Sequence, residues 1–567
     1  MKGKFNIFAI LTAILLFGYF VYASRPLAAQ PWQWADDGLY WQQAIQIKKW
    51  LAGKSPLWLG DYSQTTLSKA PLFAIFLVGV NFSRIPLHIV EFLLLILLAV
   101  LLIKALEPVF QTSCFDKAII LFIVVCCPYL PGHVTLIRNV LAFTLSGYSL
   151  VCWIGLLCTA NSSRWRQEVW SALSGFFVAL YYLCREEGAW LLAPAFLVVG
   201  FTSIVGLKRR RFLQSALLPL IFIATFSAPV ILVCALNYQS YGAFVTTDRR
   251  ASEFTKAFKL MASLEPKNAR RFVPMPEATR KKVYLFSSTL AKLEPYLEGK
   301  QGDATATNPG HIALNEAQLG DREFFVSYFE FALREAVWAS GARTFQDQEN
   351  FWKSVNEQIE AEVVCGQLAQ GSRPFGSCAP LKEGDMLKII NSTFNSFISL
   401  FLLRGADIPL DPRSSGNVSD VASMGALANA RLAPMKSFDL ELPKKTPIRA
   451  NLFHISNKII QVFYLISLVT PFFLVFKILK SLFAGKVDTL QVKLFVSGLL
   501  SLGTLVLFCL MMGVLDVCGW PHLKYPGSYN SLGVILVSIF SCIGFSQFAF
   551  LLNKNHKKTK ITKAQQT

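Results

Sequence analysis

Long apolar runs separated by short polar turns fill the chain from Phe5 to Leu236 and again from Ile459 to Leu552. The runs are Phe5–Ala23, Leu87–Leu106, Ala118–Gly132, Val140–Ala160, Val169–Leu183, Ala189–Gly206, Leu213–Leu236, Ile459–Phe476, Leu494–Val514 and Leu532–Leu552. As helices rising ~1.5 Å per residue, they approach or reach the ~30 Å depth of a bilayer core, so the pattern predicts about ten spans. Phe5–Ala23 is long enough to serve as an uncleaved signal anchor rather than a removed signal peptide. Ala70–Phe82 is apolar but short, which predicts a re-entrant or interfacial segment. Between the two groups of spans, Asn237–Asn451 is mostly polar and long enough to be a domain. Within it, Glu323–Trp338 and Phe351–Val364 repeat at helical spacing, whereas strand alternation is scarce. Leu403–Pro447, rich in Pro, Ser, Gly and Asn, reads as an irregular return to the membrane.

Positive charge orients these elements. Lys2 and Lys4, Lys104 and Lys117, Arg164 and Arg166, Lys208 with Arg209–Arg211, Lys477, Lys480 and Lys486, and Lys554–Lys563 fall at alternate ends of the spans. Cytoplasmic loops collect Lys and Arg, so those ends face inward, both termini are cytoplasmic and the insert is extracytoplasmic. The division is therefore a transmembrane module over 1–236, an outer insert over 237–451, C-terminal spans over 452–553 and a basic tail over 554–567. The first outer loop, 24–86, breaks the charge rule with Lys48, Lys49, Lys54, Lys69 and Arg84. Such an exception points to function.

Composition removes several classes. The 567-residue chain is 53% hydrophobic and 16% charged, with mean hydropathy +0.44, which excludes an ordinary soluble enzyme. Its formal charge of +20 is explained by insertion signals, so no nucleic-acid partner is expected. Most of the 12 Cys lie in apolar runs and serve as small hydrophobes. Neither CxxC nor HExxH occurs, and no metal or cofactor is expected. Gly53-Lys54-Ser55 echoes a phosphate loop, but Lys48 stands where the leading glycine belongs and no strand precedes it.

On this topology the polar interruptions gather at the outer face: Asp36 and Asp37, Ser68-Lys69-Ala70-Pro71-Leu72, Arg84, His133, Arg138, the Arg185-Glu186-Glu187-Gly188 break and the Trp520–Tyr529 loop. Charges at membrane depth are costly, and a one-sided cluster of both signs marks a candidate site. Asp36-Asp37-Gly38-Leu39-Tyr40, then Lys69-Ala70-Pro71-Leu72, then Arg84-Ile85-Pro86, in that order after the first span, resembles the GT-C superfamily of membrane glycosyltransferases. The pattern is most similar to the protein O-mannosyltransferase and lipid A aminoarabinose transferase type. The resemblance covers about the first 240 residues, including the Arg185–Gly188 break, and beyond that only layout. The sequence departs from the pattern in three places. Ala70 replaces a proline, Asp37 stands where Glu is usual, and Asn139 lies where many members carry a second acid.

The resemblance implies a GT-C-like helical bundle in a bacterial inner or plasma membrane. It also implies transfer of a sugar from a polyprenyl-phosphate donor to an extracytoplasmic acceptor, with inversion. An acceptor hydroxyl needs a base, and Asp36 or Asp37 fits, Asp36 being aligned with the first acid of the family's pair. Lys69 and Arg84, backed by Arg138 and Arg185, would meet the leaving phosphate. Tyr40, Glu186, Glu187, His133 and His522 are candidates to position substrate. Trp32, Trp34, Tyr40, Trp41, Trp50 and Trp58 also suit an interfacial belt. Cys365 and Cys378, the two cysteines of the insert, are expected to pair in an oxidising compartment. Two other functions compete: a flippase or transporter of lipid-linked saccharides, and an envelope assembly protein. A one-sided charge cluster without an internal repeat favours the enzyme over the transporter.

Overall fold

The computed structural model describes residues 2–31, 36–109, 113–136, 138–160, 164–208, 212–268, 270, 272–298, 323–324, 326–371, 381–406, 412–433, 435, 447–483, 489–519 and 533–547. Every apolar run falls on helical backbone where it is described, the third being interrupted at Cys126–Tyr129. Burying backbone amides in lipid leaves no alternative to internal hydrogen bonding, so an apolar run becomes a helix. The chain is a polytopic helical membrane protein. Among the described residues seven helices are long and apolar enough to cross a membrane, and four more are apolar but shorter.

The first nine labelled helices are α1 (Lys2–Gly18, prolonged by a π-turn at Tyr19–Ala23), α2 (Asp36–Leu51), α3 (Leu72–Ser83), α4 (Leu87–Leu106), α5 (Cys114–Val125), α6 (Asn139–Cys158), α7 (Arg164–Cys184), α8 (Leu192–Lys208) and α9 (Phe212–Tyr241). At the centre stands α6, all of whose residues are buried. Small residues let its neighbours approach: a Cβ on Gly155 would lie 2.4 Å from the Trp170 ring of α7. On α7, a Cβ on Gly175 would lie 2.3 Å from the Phe222 carbonyl of α9. Close backbone approach of this kind stands in for the hydrophobic drive that lipid cannot supply between spans. Outer helices turn Phe196, Leu197, Phe201, Ile231, Leu232, Phe473 and Phe476 outward, as a lipid-facing surface requires. The Ser113–Asp116 capping box starts α5, with reciprocal bonds of 3.1 and 2.7 Å.

Turns segregate to two ends of the bundle. At one end Lys104 pairs with Glu107 at 3.1 Å, Gln167 Nε2 donates to the Thr159 carbonyl and Lys493 Nζ donates to the Cys158 carbonyl. At the other end the segments around Arg25, Trp58, Lys69, His133, Arg138, Cys184 and Asn237 meet. Two spans outrun their expected limits. At 30 and 37 residues, α9 and the Pro447–Phe483 helix rise ~45 and ~55 Å, beyond the ~30 Å hydrocarbon core. By contrast, the 12 residues of α3 rise ~18 Å and fall short of crossing.

Helices Ser252–Ser263, Glu277–Tyr284, Val326–Ala339 and Phe345–Val364 form the insert. They close on Phe254, Phe258, Phe329 and Trp352, with the Phe254 and Trp352 rings 5.3 Å apart. The Asp385–Phe401 helix leaves this body for the membrane part. Its Ile389 and Thr393 face Gly513 of the Thr489–Val514 helix, where a Cβ would lie 2.4 Å from Thr393 Oγ1. Ser392 Oγ donates to Asp516 Oδ2 at 2.7 Å. Amphipathicity explains the move, since Met386, Leu387, Ile390 and Phe394 stay exposed for lipid. After it, the expected irregular return contains a short helix, Val418–Leu427, whose following Asn429 Nδ2 donates to the Val80 carbonyl at 2.6 Å.

Candidate active site

An extended segment after the first span sets the site's geometry. Ala28 N donates to the Val134 carbonyl at 2.7 Å, Ala433 N to the Leu27 carbonyl at 2.6 Å and Ser415 N to the Ala29 carbonyl at 3.0 Å. Held on both edges, this segment delivers the chain to α2, whose first turn carries Asp36 and Asp37. Carboxylates suit that position because the orphan amides of a helix start are partly positive.

Asp36, Tyr40 and Gln43 share one face of α2 at helical spacing. Lys69 Nζ lies 2.9 Å from Asp36 Oδ1, with the lysine side chain 7% exposed and the aspartate 42%. Gln43 Nε2 donates to the Thr66 and Lys69 carbonyls at 3.2 and 3.3 Å, which fixes the backbone that carries the lysine. The Tyr40 ring is edge-on to Phe73 at 5.2 Å and lies 5.7 Å from the Arg138 guanidinium. Asp37 turns away from this face. Its Oδ2 accepts from Gln30 N at 2.8 Å, and the residue is 2% exposed. Burial pushes its carboxyl up to about 7, against the backbone N–H bonds of Gln30, Asp37 and Gly38, and the nearby Asp36 charge pushes in the same direction as burial. The two adjacent acids thus meet different surroundings.

The insert covers this point. The Phe331 ring lies between two cations, 5.8 Å from Lys69 Nζ and 5.0 Å from the Arg249 guanidinium. Arg249 Nε pairs with Glu330 Oε1 at 2.7 Å. Asp248 N donates to the Leu67 carbonyl at 3.1 Å, and the Asp248 carboxylate pairs with Arg334. Burial raises the Asp248 carboxyl to about 6, although Arg334 and Arg249 pull it down. Arg250 stacks 3.8 Å over the Tyr182 ring at the end of α7.

Deeper lies a second group. Arg25 Nη2 meets Glu91 Oε2 at 2.5 Å, and Arg25 Nε donates to the His133 carbonyl at 2.6 Å. Arg138 Nη1 donates to the Cys184 carbonyl at 3.2 Å, and Arg185 is buried. Burial, then the charges of Arg25 and Arg185, hold the His133 imidazole down to about 3, so it is neutral at physiological pH. His133 Nε2 and Arg25 Nη1 have no hydrogen-bond partner among the described residues.

The structure therefore brings Asp36, Asp37, Tyr40, Lys69 and Arg138 together, with His133 and Arg185 behind them. Arg84 does not join them. It is exposed, in left-handed conformation at φ 57°, at the far end of α3 from Lys69, and the helix between them rises ~18 Å. Glu186 and Glu187 start a 3-10 turn, and His522 and Cys378 lie outside the described residues. Cys365 is exposed just after the Phe345–Val364 helix. Among the described residues no three His, Cys, Asp or Glu side chains are placed to hold a metal ion.

Sequence reasoning missed Arg25, Glu91 and the Asp248–Arg250 turn. Glu91 was visible as a carboxylate inside an apolar run, and Asp248-Arg249-Arg250 as charge on the outer side of α9. Phe331 carried no signal, because its role depends on how the insert folds back.

Chemically, the arrangement offers cations for an anionic group, a half-exposed carboxylate beside one of them, and a cover that limits water. No family model and no curated protein matches the sequence. Among solved structures it matches the crystal structure of ArnT from Cupriavidus metallidurans in the apo state at 12% identity. The match covers 96% of this chain and 78% of that one, with a TM-score of 0.30. A likeness at that level decides neither fold nor chemistry.

Proposed function

We propose that the chain is a membrane glycosyltransferase of the GT-C type, which moves a sugar from a polyprenyl-phosphate donor to an extracytoplasmic acceptor. The observation that carries the reading is the Asp36–Lys69 pair at 2.9 Å, half open on the aspartate side and covered on the lysine side by Phe331. The ammonium of Lys69 occupies the Asp36 carboxylate. A donor phosphate competes for Lys69, and when it wins, Asp36 is released to accept the proton of an acceptor hydroxyl. Lys69 then offsets charge on the departing phosphate, where little water screens it, and Arg138 beside Tyr40 and Arg249 across Phe331 add to the local positive charge. Attack on the face opposite the phosphate inverts the sugar carbon.

Asp37 has a different part. Enclosed and bonded to Gln30 N, it fixes the start of α2 and so the direction of Asp36. Tyr40, held between Phe73 and Arg138, ties α2 to α6, and His133 supports the backbone to which Arg25 is anchored. Arg84 serves better as an interfacial anchor than as a phosphate ligand. The acceptor-binding side faces away from the cytoplasm, on the charge pattern of the turns.

The test is incubation of purified full-length protein with polyprenyl phosphate carrying a labelled sugar. Release of polyprenyl phosphate with the sugar recovered on an acceptor or on water supports the reading. Movement of intact donor across a vesicle membrane without release would establish the transporter instead.

A further inference from the structure

About two turns along α2 from the acidic pair, α2 and the loop after Trp58 line an open cleft of about 230 Å³ that the proposed transfer chemistry does not use. We infer that this cavity is a subsite for a neutral, hydroxyl-rich group, the size of one sugar ring. Gln42, Gln43 and Gln46 line it from α2, and Asp61, Ser63 and Thr66 line it from the loop. Among the described residues its lining holds amides, hydroxyls, one carboxylate and two leucines, and no basic side chain. That chemistry suits donors and acceptors on an uncharged ligand and does not suit a phosphate.

Gln43 supplies the second observation. It is 4% exposed, and its Nε2 is used on the Thr66 and Lys69 carbonyls, while its Oε1 has no hydrogen-bond partner among the described residues. A buried amide oxygen left in that state is costly unless water or a ligand hydroxyl donates to it. The opposite wall is fixed in advance. Ser63 N donates to Thr66 Oγ1 and Thr66 Oγ1 donates to the Asp61 carbonyl, both at 2.9 Å. Gly60, at φ 80°, turns the loop so closely that a Cβ there would lie 2.8 Å from the Gln46 side chain. The cavity far exceeds the ~10–15 Å³ of such volume that one water requires. It falls below the ~300 Å³ at which drug-sized pockets begin, so it fits one ring rather than an extended chain.

Because Gln43 lines the pocket and also holds the Lys69 carbonyl, a ring seated here is linked to the Asp36–Lys69 pair through α2 and the backbone of the lysine. Such a ring belongs to the donor sugar or to a saccharide acceptor, and this assignment of source rests on the transferase reading, whereas the pocket's own chemistry does not. The probe is a panel of methyl glycosides of common hexoses and N-acetylhexosamines, titrated against full-length protein in nanodiscs by ligand-observed NMR. Wild type should bind at least one of them. Asp61→Asn should weaken that binding about tenfold, and Gln42→Phe, which fills the cavity, should abolish it. Both variants should melt as wild type does and should bind sugar-free polyprenyl phosphate normally. No glycoside binding by wild type, or equal binding by both folded variants, overturns the subsite.

A second arm identifies the source. If the variants lose affinity for polyprenyl-phosphate sugar but keep it for polyprenyl phosphate, the ring is the donor's. If donor affinity holds and the acceptor KM rises, the ring is the acceptor's. Glycoside binding without sugar transfer from any donor would keep the subsite and remove the transferase reading.

Discussion

Replacing Lys69 by methionine keeps an unbranched stem and removes the ammonium that sits 2.9 Å from Asp36 and 5.8 Å from the Phe331 ring. Two effects of different size follow. The Asp36 side chain is 42% exposed, so water screens the pair, and its loss should cost the fold no more than about 1 kcal/mol. Gln43 still holds the backbone at residues 66 and 69, so the loop keeps its place. Donor binding is another matter. A charge-assisted contact to a phosphate under cover is worth about 1.5–3 kcal/mol, equivalent to roughly 10- to 150-fold in affinity. Lys69→Met should therefore melt within a few degrees of wild type yet bind polyprenyl-phosphate sugar at least tenfold more weakly, as measured by calorimetry in nanodiscs. Arg84→Met, at the exposed end of α3, should bind it normally. Wild-type donor affinity in Lys69→Met would show that the lysine only neutralises Asp36, and the phosphate site would have to lie elsewhere.

Asp37 predicts a pH effect. Burial raises its carboxyl to about 7, so the stability it contributes is fully present below ~4 and is lost as pH rises through 7. Asp37→Asn should accordingly gain more in melting temperature relative to wild type at pH 8 than at pH 4, and an equal change at both would refute the assignment. The Arg25–Glu91 pair is buried on both sides, so Glu91→Gln should cost about 3–5 kcal/mol by stranding a charge. Arg25→Met with Glu91→Leu should recover much of that in thermal melts, and additive losses would argue against a coupled pair. Cys365 and Cys378 should resist alkylation until reduced, the short loop adding about 3 kcal/mol, whereas two labels on unreduced protein would show free thiols.

The spans were legible because an apolar run in lipid has one backbone solution, and the runs proved mainly helical where described, with the break at Cys126–Tyr129 in the third. Their ends were not. Both α9 and the Pro447–Phe483 helix continue past the apolar stretch into polar sequence, where hydropathy gives no signal and packing decides. The Asp385–Phe401 helix was hidden in the polar insert for a related reason: its apolar residues recur among polar ones, and the run at its end, Leu400–Leu403, is too short to span. At the site, Asp36 and Tyr40 share a face of α2 by spacing alone, whereas Lys69 meets Asp36 through the long stretch 52–71, whose path local pattern does not set. Arg84 was misplaced by the same reasoning, since its closeness to Lys69 in sequence is undone by the straight α3 between them. Phe331, Arg249 and Arg334 reach the site from far along the chain, through tertiary folding that no local pattern records.

On the proposed function Asp36 accepts a proton while Lys69 holds the donor. The most direct measurement is single-turnover sugar transfer by Asp36→Asn in nanodiscs, at donor concentrations that saturate binding. Asparagine keeps the size and the hydrogen-bonding edge but removes the basic oxygen. Donor affinity should stay at or above the wild-type value, because Lys69 no longer has a carboxylate to leave, while the transfer rate should fall by about 10²–10⁴. Transfer at the wild-type rate with donor bound would contradict the account and leave the Asp36–Lys69 pair as a structural bridge.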